Sequence, residues 1–184
     1  MPFELLYLQG IQQVVFATPW MIAFMIFLAR WLILANVFIA LSLILTKRPL
    51  AKRIVAEAIW SALVALLLTK LIGTVIGRDR PFLATEELIL LIPPPFNTSF
   101  PSGHTATASA MAFAFLAGRR TAGLISFVVA AFVAFGRMAV GVHYPSDIVG
   151  GILVGGFSFL IIHLISKRLR SRDLNAAAER HHHV

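Results

Sequence analysis

The 184 residues are 59% hydrophobic, with a mean hydropathy of +0.86, and only 13% are charged, whereas an ordinary soluble domain is roughly 45–50% apolar. So few charges cannot coat a globule of this size, so a water-soluble fold is excluded and a bilayer is the expected solvent. The net charge of +8 lies in short clusters between apolar runs, not in a basic stripe interleaved with aromatics, which argues against nucleic acid as partner; the lack of cysteine excludes disulfides, thiolate chemistry and cysteine-held metals.

Residues 1–18 read as an amphipathic helix lying in the membrane interface. Phe3, Leu6, Tyr7, Ile11, Val14 and Val15 fall near one helical face, and Glu4, Gln9, Gln12 and Gln13 fall mostly elsewhere. Glu4 stands where a signal peptide would be basic, and no small-residue cleavage site follows. Thr18-Pro19 then supplies a cap and a proline at the first helical position. The apolar run to Thr46 predicts one long tilted helix, because a break at Arg30 would leave no residues for a turn.

Four more spans are expected at 54–76, 103–118, 121–140 and 147–166. The fold class is therefore all-α, a multi-pass transmembrane helical bundle of five spans, or six if the N-terminal segment inserts. The transmembrane unit covers 19–166, and 167–184 is a basic tail whose terminal His181, His182 and His183 are set apart from site reasoning. Lys47, Arg48, Lys52, Arg53, Arg119, Arg120, Lys167, Arg168, Arg170 and Arg172 occupy the links and tail that the positive-inside rule assigns to the cytoplasm. Alternation then puts the links 77–102 and 141–146 together on the outer side. Arg78, Arg80 and Arg137 fall on that side against the charge bias and call for another explanation. Small residues crowd the later spans, and Gly151 with Gly155 forms a G-x-x-x-G pair suited to close helix approach.

Three segments on the outer side hold the chemically interesting residues. Arg78-Asp79-Arg80-Pro81 offers guanidinium groups, which donate paired hydrogen bonds to phosphate and keep their charge. Pro101-Ser102-Gly103-His104 opens a helix, where free backbone N–H groups, a hydroxyl and a glycine suit an anion. His104 there is placed to protonate a leaving oxygen. Gly136-Arg137-x5-His143-x3-Asp147 suggests a histidine nucleophile held by a carboxylate. Taken singly, the three also read as an interfacial arginine pair, a capped helix start and a solvated turn.

The order R-P, P-S-G-H, G-R-x5-H-x3-D resembles the three-part signature of the type 2 phosphatidic acid phosphatase superfamily, over about residues 54–166. The resemblance implies that His143 is the nucleophile, forming a phosphohistidine, with Asp147 orienting it. It implies that His104 is the general acid and then the base that activates water. Arg80, Arg137, Ser102 and the Gly103 backbone would hold the phosphoryl oxygens, with no metal and no cofactor. The family's lysine, six residues apart from its Arg-Pro pair, is here Gly73. Either Lys70, one turn earlier, or Arg78 stands in for it, unless Lys70 is a structural cation paired with Glu57.

The resemblance extends to bacterial undecaprenyl diphosphate phosphatases acting at the outer face of the cytoplasmic (inner) membrane. A phosphatidylglycerophosphate, phosphatidic acid or lipid A phosphatase is the alternative, and the oligomeric state stays open. A different class, a transporter subunit with Arg30, Glu57 and Lys70 lining a polar path, is the competing reading. His163 is expected to be structural. Leu88-Ile89-Leu90-Leu91-Ile92 is expected either to flank a lipid entry or to form an interfacial loop.

Overall fold

A computed structural model describes residues 3–47, 49–95 and 97–182, with side chains through 172. Arg48 and His183 lie outside the described residues, as do the side chains of Arg180, His181 and His182. The helices are α1 (Phe3–Phe16), α2 (Pro19–Arg30), α3 (Ala35–Leu45), α4 (Pro49–Ile76), α5 (Pro81–Ala84), α6 (Gly103–Gly118), α7 (Arg120–Ala139) and α8 (Pro145–His182). No strand occurs among the described residues. α8 runs without a break through residue 166, so the basic tail begins as its continuation.

α6 is the axis of the bundle and packs against α4, α7 and α8. Its inward positions are alanines, among them Ala106, Ala108, Ala110 and Ala112, all fully buried. Small side chains let backbones approach, and van der Waals contact then replaces the hydrophobic drive that is absent between helices in lipid. The expected glycine pair performs this role on α8. A methyl group added at Gly155 would lie 2.5 Å from the Ala106 carbonyl oxygen, and one at Gly151 would lie 2.8 Å from that of Ser102. Large apolar side chains point outward instead: Phe38, Trp60, Val75 and Leu153 are all more than half exposed.

Among the described residues, three helical stretches are long and apolar enough to cross a membrane: Pro49–Ala84, Arg120–Ala139 and Pro145–Arg172. The pair Pro19–Arg30 and Leu32–Leu45 forms a fourth if counted as one span, bent by 46°. The single long helix expected over 19–46 is thus broken. The chain changes direction through Trp31 and a 3-10 turn at Leu32–Leu34, tightening the helix instead of leaving it, so no loop residues are needed. Arg30 at the break stays exposed, 5.8 Å from the Trp31 ring centre.

α1 also packs on the bundle through a second face. Leu5, Leu8, Gln12 and Val15 face the bundle, whereas Phe3, Leu6, Tyr7 and Val14 point away from it. Gln12 is buried, and its amide donates to Ile89 O (2.7 Å) and Ala139 O (3.2 Å) while accepting from Ile89 N (2.9 Å). This pins the 77–102 link to the bundle. Leu88 packs on Leu5, Leu8 and Tyr144, and Ile92 packs on Val15, Met25 and Val142. The Leu88–Ile92 stretch is therefore part of the protein core at these two positions.

The bundle has two chemically distinct ends. At one, Glu57 accepts from Arg53 (2.7 Å) and Ser166 (2.7 Å) and lies 3.0 Å from His163 Nδ1, beside the basic links. Glu57 therefore does not pair with Lys70, and His163 ties α8 to α4. The three outer-link motifs gather at the other end.

Candidate active site

Local folding rules place each motif. α7 ends in a Schellman-type turn: Val142 N–H bonds to Arg137 O and Gly141 N–H to Met138 O, with Gly141 at φ +81°. A side chain is disfavoured in that left-handed conformation, and glycine there turns the chain so that His143 follows at once. α8 then begins at Pro145, and Asp147 Oδ2 reaches back to accept the Tyr144 N–H at 2.8 Å. This is the capping arrangement of a third-position carboxylate. The H-x3-D spacing thus reflects a histidine just before a helix and an acid in its first turn.

His143 and Asp147 are both buried, with Nδ1 3.4 Å from Asp147 Oδ2. No hydrogen bond forms at Nδ1, yet the adjacent carboxylate favours the tautomer that carries the proton there. Nε2 then presents its lone pair on the other side, 3.5 Å from Arg80 Nη1. Burial, reinforced by the charges of Arg137 and Arg80, holds the His143 imidazole down to about 4, against the opposing pull of Asp147. The ring is therefore neutral near pH 7, the form that can attack phosphorus.

Arg80 is fixed on nearly all sides. It donates to Asn97 O (2.9 Å), Asn97 Oδ1 (2.7 Å), Thr98 O (3.0 Å) and Val142 O (2.7 Å). Of the five guanidinium N–H groups, the one left is on Nη1, the atom nearest His143. Arg137 is equally buried but barely bonded: Nη1 lies 3.4 Å from Ala29 O, and Nε has no partner. A buried guanidinium with vacant donors is costly unless an anion joins it.

These groups line a cavity of about 910 Å³ with His104, Gly103, Lys70, Thr69 and Thr107. The Thr107 hydroxyl is also unpartnered and lies one turn along α6 from His104. The wall thus brings together two histidines, two arginines and a lysine, a set fitted to a phosphate group. Among the described residues no three His, Asp or Glu side chains are placed to hold a metal ion.

Two expected phosphate ligands make contacts within the protein. Ser102 is fully buried and caps α6, accepting from Thr105 Oγ1 at 3.0 Å, while its own N–H donates to Asp147 O. Its hydroxyl oxygen serves the helix start because position 102 is the N-cap. Arg78 is absent from the cavity wall and bonds to Asp147, Ser146 and Glu4. Of the two stand-ins for the family lysine, only Lys70 faces the cavity. Position 73 has no room, since a methyl group there would lie 2.5 Å from Thr98 Oγ1. Glu57, bonded to Arg53 and Ser166 and beside His163, is not part of the cavity wall that Lys70 lines.

Asn97, Ser99 and Thr107 lie outside the three motifs. Ser99 Oγ hydrogen-bonds Asp147 Oδ2 closely, and Asn97 clamps Arg80. The polar run Asn97-Thr98-Ser99, just before Pro101-Ser102-Gly103-His104, is the signal that marks the first two.

The PAP2 superfamily description matches residues 54–171. An undecaprenyl-diphosphatase of Sulfolobus acidocaldarius is 31% identical over 117 residues, 62% of this chain and 57% of that protein. A lipid A 1-phosphatase of Rhizobium etli is 34% identical over 109 residues, 55% of this chain and 46% of that protein. The chain spans about half to three fifths of the length of such curated relatives. The crystal structure of Aquifex aeolicus LpxE is similar with a TM-score of 0.71 and 26% identity, covering 88% of this chain and 95% of that one. The match spans the helices that carry all three motifs, and on it the chain belongs to the PAP2 superfamily.

Proposed function

We propose that the chain is a metal-independent lipid phosphatase that cleaves undecaprenyl diphosphate through a phosphohistidine on His143. The observation that carries this is the His143 imidazole, backed by Asp147 and opening beside Arg80 onto a cavity where Arg137 holds vacant donors. Nε2 attacks the terminal phosphorus while the bridging oxygen departs with the lipid monophosphate, taking a proton from His104. Arg80, Arg137 and Lys70 hold the oxygens as charge is redistributed, which is the main catalytic contribution in phosphoryl transfer. His104 then removes a proton from water, which attacks the phosphohistidine and frees phosphate. The Gly103 backbone and the Ser102 cap keep the α6 start in place beneath the phosphate.

The topology that goes with this reading has five spans, α2–α3 counting as one and α6 as another, with α1 in the interface. The basic links face the cytoplasm and the site faces outward from a bacterial cytoplasmic membrane. Support comes from the separation of the basic residues from the three motifs at opposite ends of the bundle, and from the undecaprenyl-diphosphatase relative.

A second reading, hydrolysis of a lipid phosphate monoester, is favoured by the lipid A 1-phosphatase relative. Phosphate release by detergent-purified protein, with EDTA present, separates the two. Undecaprenyl diphosphate is expected to be turned over faster than lipid A, phosphatidylglycerophosphate or phosphatidic acid. A reversed order establishes the monoester reading, and no release from any of them by folded protein removes both.

A further inference from the structure

Arg78 is one of the two alternatives for the family lysine, and its guanidinium lies on the far side of Asp147 from the cavity. Nη1 donates to Asp147 Oδ1 (2.8 Å) and Ser146 Oγ (2.6 Å), and Nη2 donates to Glu4 Oε2 (2.8 Å). The group also lies 3.9 Å from the centre of the Tyr144 ring, a cation–π contact that fixes its plane. Glu4 does more than balance the charge. Its other oxygen accepts the Ser146 N–H at 2.8 Å, so α1 is tied to the first turn of α8, the turn that carries Asp147.

Asp147 needs these contacts because it is fully buried. One oxygen takes Ser99, Tyr144 N–H and the His143 side, and the other takes Arg78. An isolated buried carboxylate would neutralise or swing toward another donor. Arg78 balances the charge without competing for the His143 face, so the acid stays where it can hold the imidazole. Five planar donors on a rigid fork make arginine suited to bridging two carboxylates, which a lysine does less well.

We infer that Arg78 and Glu4 are positioning residues, forming a chain Glu4–Arg78–Asp147–His143 through which the N-terminal helix orients the nucleophile. This rests on the proposed phosphatase reading. It makes α1 part of the reaction apparatus instead of a membrane anchor alone, and it assigns Arg78 a place apart from the substrate phosphate.

The test is steady-state kinetics on undecaprenyl diphosphate for the full chain and for Arg78→Met, Arg78→Lys, Glu4→Gln and the Arg78→Met/Glu4→Gln double variant, each checked by melting in detergent. Arg78→Met is expected to lower kcat by about 10- to 100-fold, by analogy with the loss of outer groups that orient metal-bound histidines, with KM changed little. Arg78→Lys should regain part of that loss. Glu4→Gln should cost less than Arg78→Met, and the double variant should match Arg78→Met, because Glu4 acts through Arg78. A rise in KM without loss of kcat would return Arg78 to the substrate, and multiplicative losses would break the chain; either overturns the inference. Should Arg78→Met melt early, the lysine variant and the Glu4→Gln comparison carry the test. Failure of the parent to release phosphate removes the phosphatase reading itself, an outcome distinct from an active parent with unaltered variants.

Discussion

Arg80 and Arg137 are both buried arginines of the site, and they are held in opposite ways. Arg80 spends four donors on Asn97, Thr98 and Val142, whereas Arg137 leaves most of its donors vacant beside the cavity. Arg80 is a strut that also aims one N–H at the nucleophile; Arg137 is free to close on a phosphate. Arg80→Lys cannot reproduce the fork and is expected to lose both activity and about 2–5 kcal/mol of stability, from buried acceptors left unpaired. Arg137→Lys is expected to lose activity with a smaller drop in melting temperature, and equal destabilisation by the two would contradict the contrast. His143 sets the pH behaviour. Its folded value of about 4 lies below the usual 6.5, so its contribution to stability is present above about 6.5 and lost as pH falls toward 4. The acid limb of kcat/KM is likewise expected nearer 4 than 6.5 once substrate ionisation is subtracted. A limb at 6.5 would mean that the imidazole is solvated. At this scale the sequence was informative where chemistry repeats in a fixed order: His104, His143, Arg80 and Arg137 meet at one cavity, and Asp147 stands behind His143. The placement of Arg78 was not legible, because which side of a carboxylate an arginine occupies depends on α1 packing, more than seventy residues away in the chain.

At the scale of elements, the same rules that located the helices also explain the one that broke. Apolar content cannot distinguish a straight helix from one bent through a 3-10 turn, since both bury the same residue types and satisfy nearly all backbone groups. The break over Trp31–Leu34 was therefore hidden, and so was the docking of Gln12 on Ile89, which needs the fold to bring them together. The contact of α6 with α8 was legible, because glycines and alanines at helical spacing have few other uses in a bundle of this kind. Gly155→Ala places a methyl group against the α6 backbone, and overpacking of that sort costs about 1–3 kcal/mol. Gly10, in α1, has nothing within 4 Å of an added methyl group, so Gly10→Ala should be neutral or stabilise by up to about 1 kcal/mol through helix propensity. Thermal unfolding in detergent compares the two; similar melting temperatures would show that α6 and α8 are less closely packed than described.

For the whole molecule, the arrangement is one of polar groups enclosed by apolar walls, with the basic links at one end and the site at the other. This separation makes the orientation testable, and the chain has no cysteine to interfere. Glu86→Cys is expected to react with a membrane-impermeant maleimide on intact cells, and Ser171→Cys only after permeabilisation. The reverse pattern would turn the site toward the cytoplasm. The central claim concerns the chemistry of one nitrogen. Rapid quenching of the protein with undecaprenyl diphosphate labelled at its terminal phosphate, followed by peptide mapping under alkaline conditions that preserve phosphohistidine, tests it most directly. Label on the peptide containing His143, absent from a folded His143→Ala variant that also releases no phosphate, is the result expected. Turnover by His143→Ala near the parent rate, or label only on the peptide containing His104, would contradict the account.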